Sequence, residues 1–110
     1  MASLPHIAAI IFFTPKPAWL DLNRDNRRKW LRDRIAALRE FGFGDASRLI
    51  WSKKLGDDVV TLWYIYDASA RDRLVEQMEL PAVTSMFDIA VAVGRIAADD
   101  DEVIDAFLDA

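Results

Sequence analysis

The chain reads as a two-layer α+β domain in the order β-α-β-β-α-β, followed by one short extra helix. Three features predict this. Residues 6–13 and 59–66 are apolar on both alternating faces, as in strands of a sheet that is covered on both sides. Two longer stretches carry apolar residues at spacings of three and four, the mark of a helix with one buried face. Between two strand candidates, Gly56-Asp57-Asp58 has the composition and length of a hairpin connection. The 110 residues suit a single domain. Residues 1–97 are assigned to it, and residues 98–110 to an acidic C-terminal helix or tail.

The first strand, HIAAIIFF, puts His6, Ala8, Ile10 and Phe12 on one face and Ile7, Ala9, Ile11 and Phe13 on the other. Pro15 and Pro17 are expected to end it, since proline cannot donate to a central ladder. Asn23 fits the N-cap of a helix reaching about Phe41, with Gly42 as its stop. Leu31, Ile35, Leu38 and Phe41 form the stripe of that helix, flanked by Trp30 and Ala37, and residues 42–45 make a turn. Residues 46–54 alternate Leu49 and Trp51 against Arg48, Ile50 and Ser52, and the polar end of this strand suggests a sheet edge. The third strand places Val59, Thr61, Trp63 and Ile65 on one side and Val60, Leu62, Tyr64 and Tyr66 on the other.

Asp67 closes the third strand, and Ser69 with Asp72 matches a capping-box-like helix start. Leu74, Val75 and Met78 are the stripe of the second helix, interrupted at Leu80-Pro81. Residues 89–93 form the last strand, with Ile89, Val91 and Val93 opposed to the small residues Ala90, Ala92 and Gly94. Val103, Ile104, Phe107 and Leu108 then make the stripe of the extra helix, which is expected to dock on its own or a neighbouring subunit. This order is the ferredoxin-like split βαβ arrangement, with helices on one face of an antiparallel four-stranded sheet. Because the strands are apolar on both faces, a second subunit is expected to cover the bare one. That gives a dimeric α/β barrel, and a homodimer or larger homo-oligomer.

Composition narrows the functional classes. With no cysteine, thiol catalysis, disulfides and cysteine metal sites are excluded, and the single histidine excludes a multi-histidine metal site within one subunit. The net charge of −4 argues against bulk binding of nucleic acid. No apolar run approaches the ~20 residues of a membrane span. The first five residues lack the basic region of a signal peptide, so a cytoplasmic protein is expected. Charge is unevenly placed. Arg24, Arg27, Arg28, Lys29, Arg32, Arg34 and Arg39 crowd the first helix, whereas Asp99, Asp100, Asp101, Glu102, Asp105 and Asp109 make the tail acidic. Asp21, Asp25, Asp33 and Glu40 are interleaved around the basic helix, which disfavours a nucleic-acid role. The two regions read either as solvated faces or as partners paired between subunits.

Within residues 62–93, the segments Tyr64-Ile65-Tyr66-Asp67, Leu80-Pro81 and Phe87-Asp88-Ile89-Ala90-Val91 resemble the muconolactone isomerase family. That family carries an aromatic strand ending in Asp, a helix, a Leu-Pro segment and a Met-Asp-Ile-type lead into the last strand. A weaker match extends through Leu38-Arg39-Glu40, Gly42 and Leu49-Ile50-Trp51. The resemblance implies proton movement along an unsaturated lactone, with no metal or organic cofactor, in a large ring of dimers. The first strand departs from the family pattern, because its centre is apolar where the family carries ionisable residues. Trp30-Leu31 likewise stand where acids are expected.

The candidate catalytic residues are His6, whose intrinsic pKa suits a general base, and Tyr64, whose hydroxyl can orient a lactone or carbonyl oxygen. Trp30, Trp51, Trp63 and Tyr66 are candidate walls of a pocket for a flat apolar compound, and Arg48 is a candidate partner for a carboxylate on it. Each has a structural alternative: a hydrogen-bonded strand-start histidine, core or interface aromatics, and an exposed edge arginine. Asp67 and Asp88 read as chain-turning residues. Three functions remain in play: a cofactor-independent isomerase or cyclase acting on a small apolar oxygenated ring compound, a cofactor-free monooxygenase, and a non-catalytic ligand-binding or assembly protein. A cavity between sheet and helices that is filled by aromatics leaves only assembly, and an ionisable group within reach of a ligand oxygen there keeps catalysis alive.

Overall fold

The computed structural model describes residues 7–40, 47–97 and 99–110. His6, the Phe41–Gly42 helix end and the 42–45 turn lie outside the described residues. The elements run β1 (Ile7–Pro15), α1 (Pro17–Leu20), α2 (Arg24–Glu40), β2 (Ser47–Leu55), β3 (Asp58–Ile65), α3 (Ala68–Met78), α4 (Pro81–Thr84), β4 (Phe87–Arg95) and α5 (Asp100–Leu108). The strands form one sheet in the order β2-β3-β1-β4, with every neighbouring pair antiparallel. This is the ferredoxin-like α+β fold. β1 and β3, the two strands that are apolar on both faces, take the central positions, and β2 lies at an edge.

Local chemistry explains the boundaries. Asn23 caps α2 through its side-chain carbonyl, which accepts the Asn26 N–H at 2.8 Å. α1 and α4 each begin on a proline, whose fixed φ suits the first helical position. Gly56, at φ 62°, turns the β2–β3 hairpin in a conformation that favours glycine. The cap of α3 differs from the expected Ser69–Asp72 box. Asp67 leaves β3 in extended geometry, and its carboxylate accepts the Ser69 N–H at 2.9 Å. β1 also runs two residues past Phe13, because Thr14 and Pro15 still pair with Asp88 and Phe87 on β4. On the β3 side the ladder stops at Phe13, and the Thr14 hydroxyl donates to the Asp58 carboxylate at 2.8 Å instead.

The register sorts the sheet into two faces. Ala9 and Ile11 of β1 and Trp63 and Ile65 of β3 pack against Ala70, Leu74 and Met78 of α3, with Phe13, Leu38 and Ile89 at the margin. The opposite face carries Ile10, Phe12, Leu62, Tyr64, Ala90 and Ala92 by strand alternation. On β2 a bulge at Ile50 breaks the expected alternation of Leu49 with Trp51. Leu49 and Ser52 pair with Trp63 and Thr61 on the helix side, whereas Trp51 pairs with Leu62 on the other side. No helix among the described residues is long and apolar enough to cross a membrane.

Two outcomes test this fold. Leu74→Ala, at a side chain only 1% exposed, should cost about 2–5 kcal/mol in urea unfolding. Leu31→Ala, at 45% exposure, should cost a fraction of that. The Asp67 carboxyl is held below its ordinary value of 3.8, first by the Ser69 backbone N–H and then by the Ser69 hydroxyl. Its stabilisation is therefore complete above that value and is lost as the pH falls through the lowered one. Asp67→Asn keeps a capping oxygen without the titration. Acid-unfolding curves for the variant should thus be flatter than those of the parent below pH 3.8.

Candidate functional site

Four aromatic rings set the geometry of the site. Phe87, buried at the start of β4, meets Phe13 edge-on at 5.6 Å, Trp19 at 4.7 Å and Trp30 at 5.7 Å between ring centroids. Trp19 and Trp30 also touch each other edge-on at 5.4 Å. Arg27 reinforces this junction. Its guanidinium stacks 5.5 Å from the Trp19 ring centre and donates to the Trp19 and Leu20 carbonyls. The first half of α2 is thereby fixed over one end of the sheet, and Leu38, two turns past Trp30, packs on the core.

Between those two attachments the helix stands away from β2 and β3. The gap is a pocket of about 180 Å³. Its floor is Trp63, Thr61 and Phe13 from the sheet, and one wall is Met78, Gln77 and Val83. Trp30, Leu31, Arg34, Ile35 and Leu38 form the α2 side, and Leu49 and Ser52 form the β2 side. The polar groups are few. The Trp63 indole N–H donates to the Thr61 hydroxyl at 2.9 Å, so Thr61 is partnered within the floor. Arg34 is half-buried and makes no ion pair with another described residue. It shares the α2 side of the pocket with Trp30, Leu31, Ile35 and Leu38.

The expected site residues are divided between the two faces. Trp30 and Trp63 line the pocket. Tyr64 and Arg48 are cross-strand neighbours on the opposite face, joined there by Trp51 beside Leu62. The Ile50 bulge is what sends Trp51 to that side. Tyr66 is half-buried one residue beyond β3, and His6 lies outside the described residues. Sequence reasoning passed over Arg34. The available signal was its position four residues after Trp30, which puts both side chains on one face of the helix. Among the described residues no group of three His, Asp or Glu side chains is placed to hold a metal ion.

The comparisons bear on the fold alone. No protein-family model matches the chain, and no curated protein matches it at a significant level. Among solved structures it is similar to the de novo designed protein Ferredog-Diesel, at 16% identity and a TM-score of 0.52 over 84% of this chain and 89% of that one. It is also similar to the de novo designed protein Foldit4, at 12% identity and a TM-score of 0.50 over 86% of this chain and 100% of that one. The class established by these likenesses and by the strand order is a ferredoxin-like α+β domain.

If Phe87 is the pivot that holds α2 off the sheet, its removal should be felt in two places. Phe87→Ala should destabilise the protein by about 3–5 kcal/mol in denaturant titration. It should also collapse the near-ultraviolet circular dichroism of the Trp19–Trp30 pair. A variant that loses stability but keeps that signal would show the two tryptophans held by something else.

Proposed function

We propose that this protein binds a small, flat, largely apolar compound bearing one oxygen-rich group in the pocket between α2 and β2, and that it works as a homodimer. The observation that carries the reading is the lining itself, an apolar, aromatic-floored cavity with Arg34 in its α2 wall. An apolar cavity of about 150 Å³ already admits a benzene ring, so the volume suits a one- or two-ring compound. The Trp63 floor favours a planar body, and Arg34 favours a carboxylate or lactone oxygen.

The resemblance of residues 64–67, 80–81 and 87–91 to muconolactone isomerases makes unsaturated lactones the first ligands to try. Binding is favoured over isomerisation by the chemistry of the described lining. A proton shuttle needs a group that titrates near working pH, and arginine stays protonated throughout that range. Isomerase or monooxygenase chemistry would have to draw on His6 or on a residue brought by a second copy.

Dimerisation is supported by the uncovered sheet face. Phe12 and Trp51 are 37% and 40% exposed there, with Ala90 and Ala92 beside them. Four strands of eight or nine residues present roughly 570 Å² at normal strand rise and spacing. Two such faces bury roughly 1,100 Å², which reaches the ~1,000 Å² expected of a specific interface.

Tryptophan fluorescence titrated with 1-naphthoate and with its neutral analogue 1-naphthalenemethanol tests the pocket. The parent should bind the acid more tightly. Arg34→Leu should weaken naphthoate about tenfold, a loss of roughly 1.4 kcal/mol, and leave the alcohol nearly unchanged. Equal loss of both ligands, or saturation by neither, would remove this reading.

A further inference from the structure

α5 is an amphipathic helix whose apolar side is left largely exposed, with no buried residue in it. Val103, Ile104, Phe107 and Leu108 share one stripe, and Phe107 and Leu108 are 78% and 75% exposed. The helix is well formed all the same. Asp99 caps it by accepting the Glu102 N–H at 3.1 Å, and Asp100, Asp101 and Glu102 sit in the first turn, where the helix dipole favours acids. At 100° per residue, Asp100 leads the stripe while Asp101 and Asp105 border its Leu108 edge.

A complementary surface lies at the mouth of the pocket. Leu31 and Ile35 of α2 and Leu49 of β2 are each 45–48% exposed there. The same helical spacing places Arg28, Arg32 and Arg39 along the outer border of Leu31 and Ile35, and all three are exposed. An apolar groove edged by bases thus matches an apolar helix edged by acids, in both periodicity and sign.

In this structure α5 of the same chain lies away from that groove. β4, which leads into α5, is at the sheet edge opposite β2, three strand spacings or about 14 Å away. The Arg95 guanidinium also pairs with Glu102, tying the first turn of α5 to the end of β4. On the helix side of β4, Val91 and Val93 are the exposed apolar residues of the same chain, and Val91 lines a cleft beside α3 and α4. That cleft carries Glu79 together with the Lys16–Asp88 ion pair at 3.6 Å, so it lacks the row of bases that edges the α2–β2 groove.

We infer that α5 of a second copy docks across the α2–β2 groove, with Phe107 and Leu108 covering Leu31, Ile35 and Leu49 and with Asp101 and Asp105 facing Arg28 and Arg32. The arrangement is helix-in-groove recognition between identical chains, and it closes the mouth of the pocket from outside. It goes beyond the ligand reading and stands whether or not a compound binds within.

The absence of native cysteine allows a direct test on the full chain. Leu31→Cys and Phe107→Cys are made separately, one of them carrying a size tag, then mixed and oxidised. A disulfide forms only where the Cα atoms come within about 7 Å. The mixed-chain species is expected at several-fold the yield of a control pairing Phe107→Cys with Asp57→Cys in the hairpin turn. Asp101→Lys/Asp105→Lys should reduce that yield, and adding Arg28→Glu/Arg32→Glu to the partner should restore it. Yields equal to the control, or no response to charge reversal and its compensation, would overturn the inference. So would a bridge forming within one chain when both cysteines are placed together at high dilution. Naphthoate titration of the same variants reports separately on the pocket, so failure of one reading leaves the other legible.

Discussion

The contacts of Phe87 decide where α2 lies, and the position of α2 decides the rest. One ring at the start of β4 holds Phe13 from β1, Trp19 from α1 and Trp30 from α2. Aromatic contacts are directional as well as apolar, and the edge-on Trp19–Trp30 pair with the tilted Trp30–Phe87 contact sets the angle at which α2 leaves the sheet. Leu38 returns the helix to the core two turns later. The helix therefore bridges the sheet at two points instead of lying flat on it. The space beneath the bridge is the pocket, and the side chains that would have filled it, Leu31 and Ile35, line its mouth.

Much of this fold was legible in the residues. The element order, the edge position of β2 and the Asn23 cap follow from periodicity and capping chemistry alone. The two-sided apolar character of residues 6–13 and 59–66 pointed to their central place, because such strands need cover on both faces. Other features depend on information that a local pattern lacks. The bulge at Ile50 is invisible to a two-residue period, yet it moves Trp51 to the other side of the sheet. β1 and β4 lengthened because each supplied the other with ladder partners, and a single strand read alone carries no record of that. Asp67 took the cap from Ser69 because it stands in extended geometry immediately before the first helical residue, Ala68.

The candidate site was harder to read for a related reason. Aromatic residues were grouped by type, and alternation then divided them: Trp63 entered the pocket, whereas Tyr64, one residue on, had to face the other way. Arg34 lines the pocket because the face of α2 that it shares with Trp30 and Leu38 turns toward the sheet. Helix rotation is a tertiary property, so a charged residue in a basic helix looked like any other surface charge. The similarity to designed ferredoxin-like proteins adds a physical point. This topology arises from patterning, turns and packing without any function to shape it. Arguments about activity therefore rest on the pocket and the uncovered surfaces.

Those surfaces also bear on stability. The chain measures 46 × 36 × 20 Å, which is two layers thick, and its radius of gyration of 15.5 Å exceeds the roughly 13 Å of a compact domain this long. Among the described residues the fully buried side chains of any size are few, chiefly Ile11, Ile65 and Leu74. A core this thin supplies little surplus over the entropy of ordering the chain. Meanwhile apolar surface is left in three places: the open sheet face, the α2–β2 groove and the stripe of α5. Burying any of these against a second copy transfers apolar area from water without ordering much additional chain, since the strands and helices are already formed. Association then adds to the stability of the folded state by mass action. A thin two-layer chain thus keeps its apolar surplus on its outside, and the α2–β2 part of that surplus lines the mouth of the pocket.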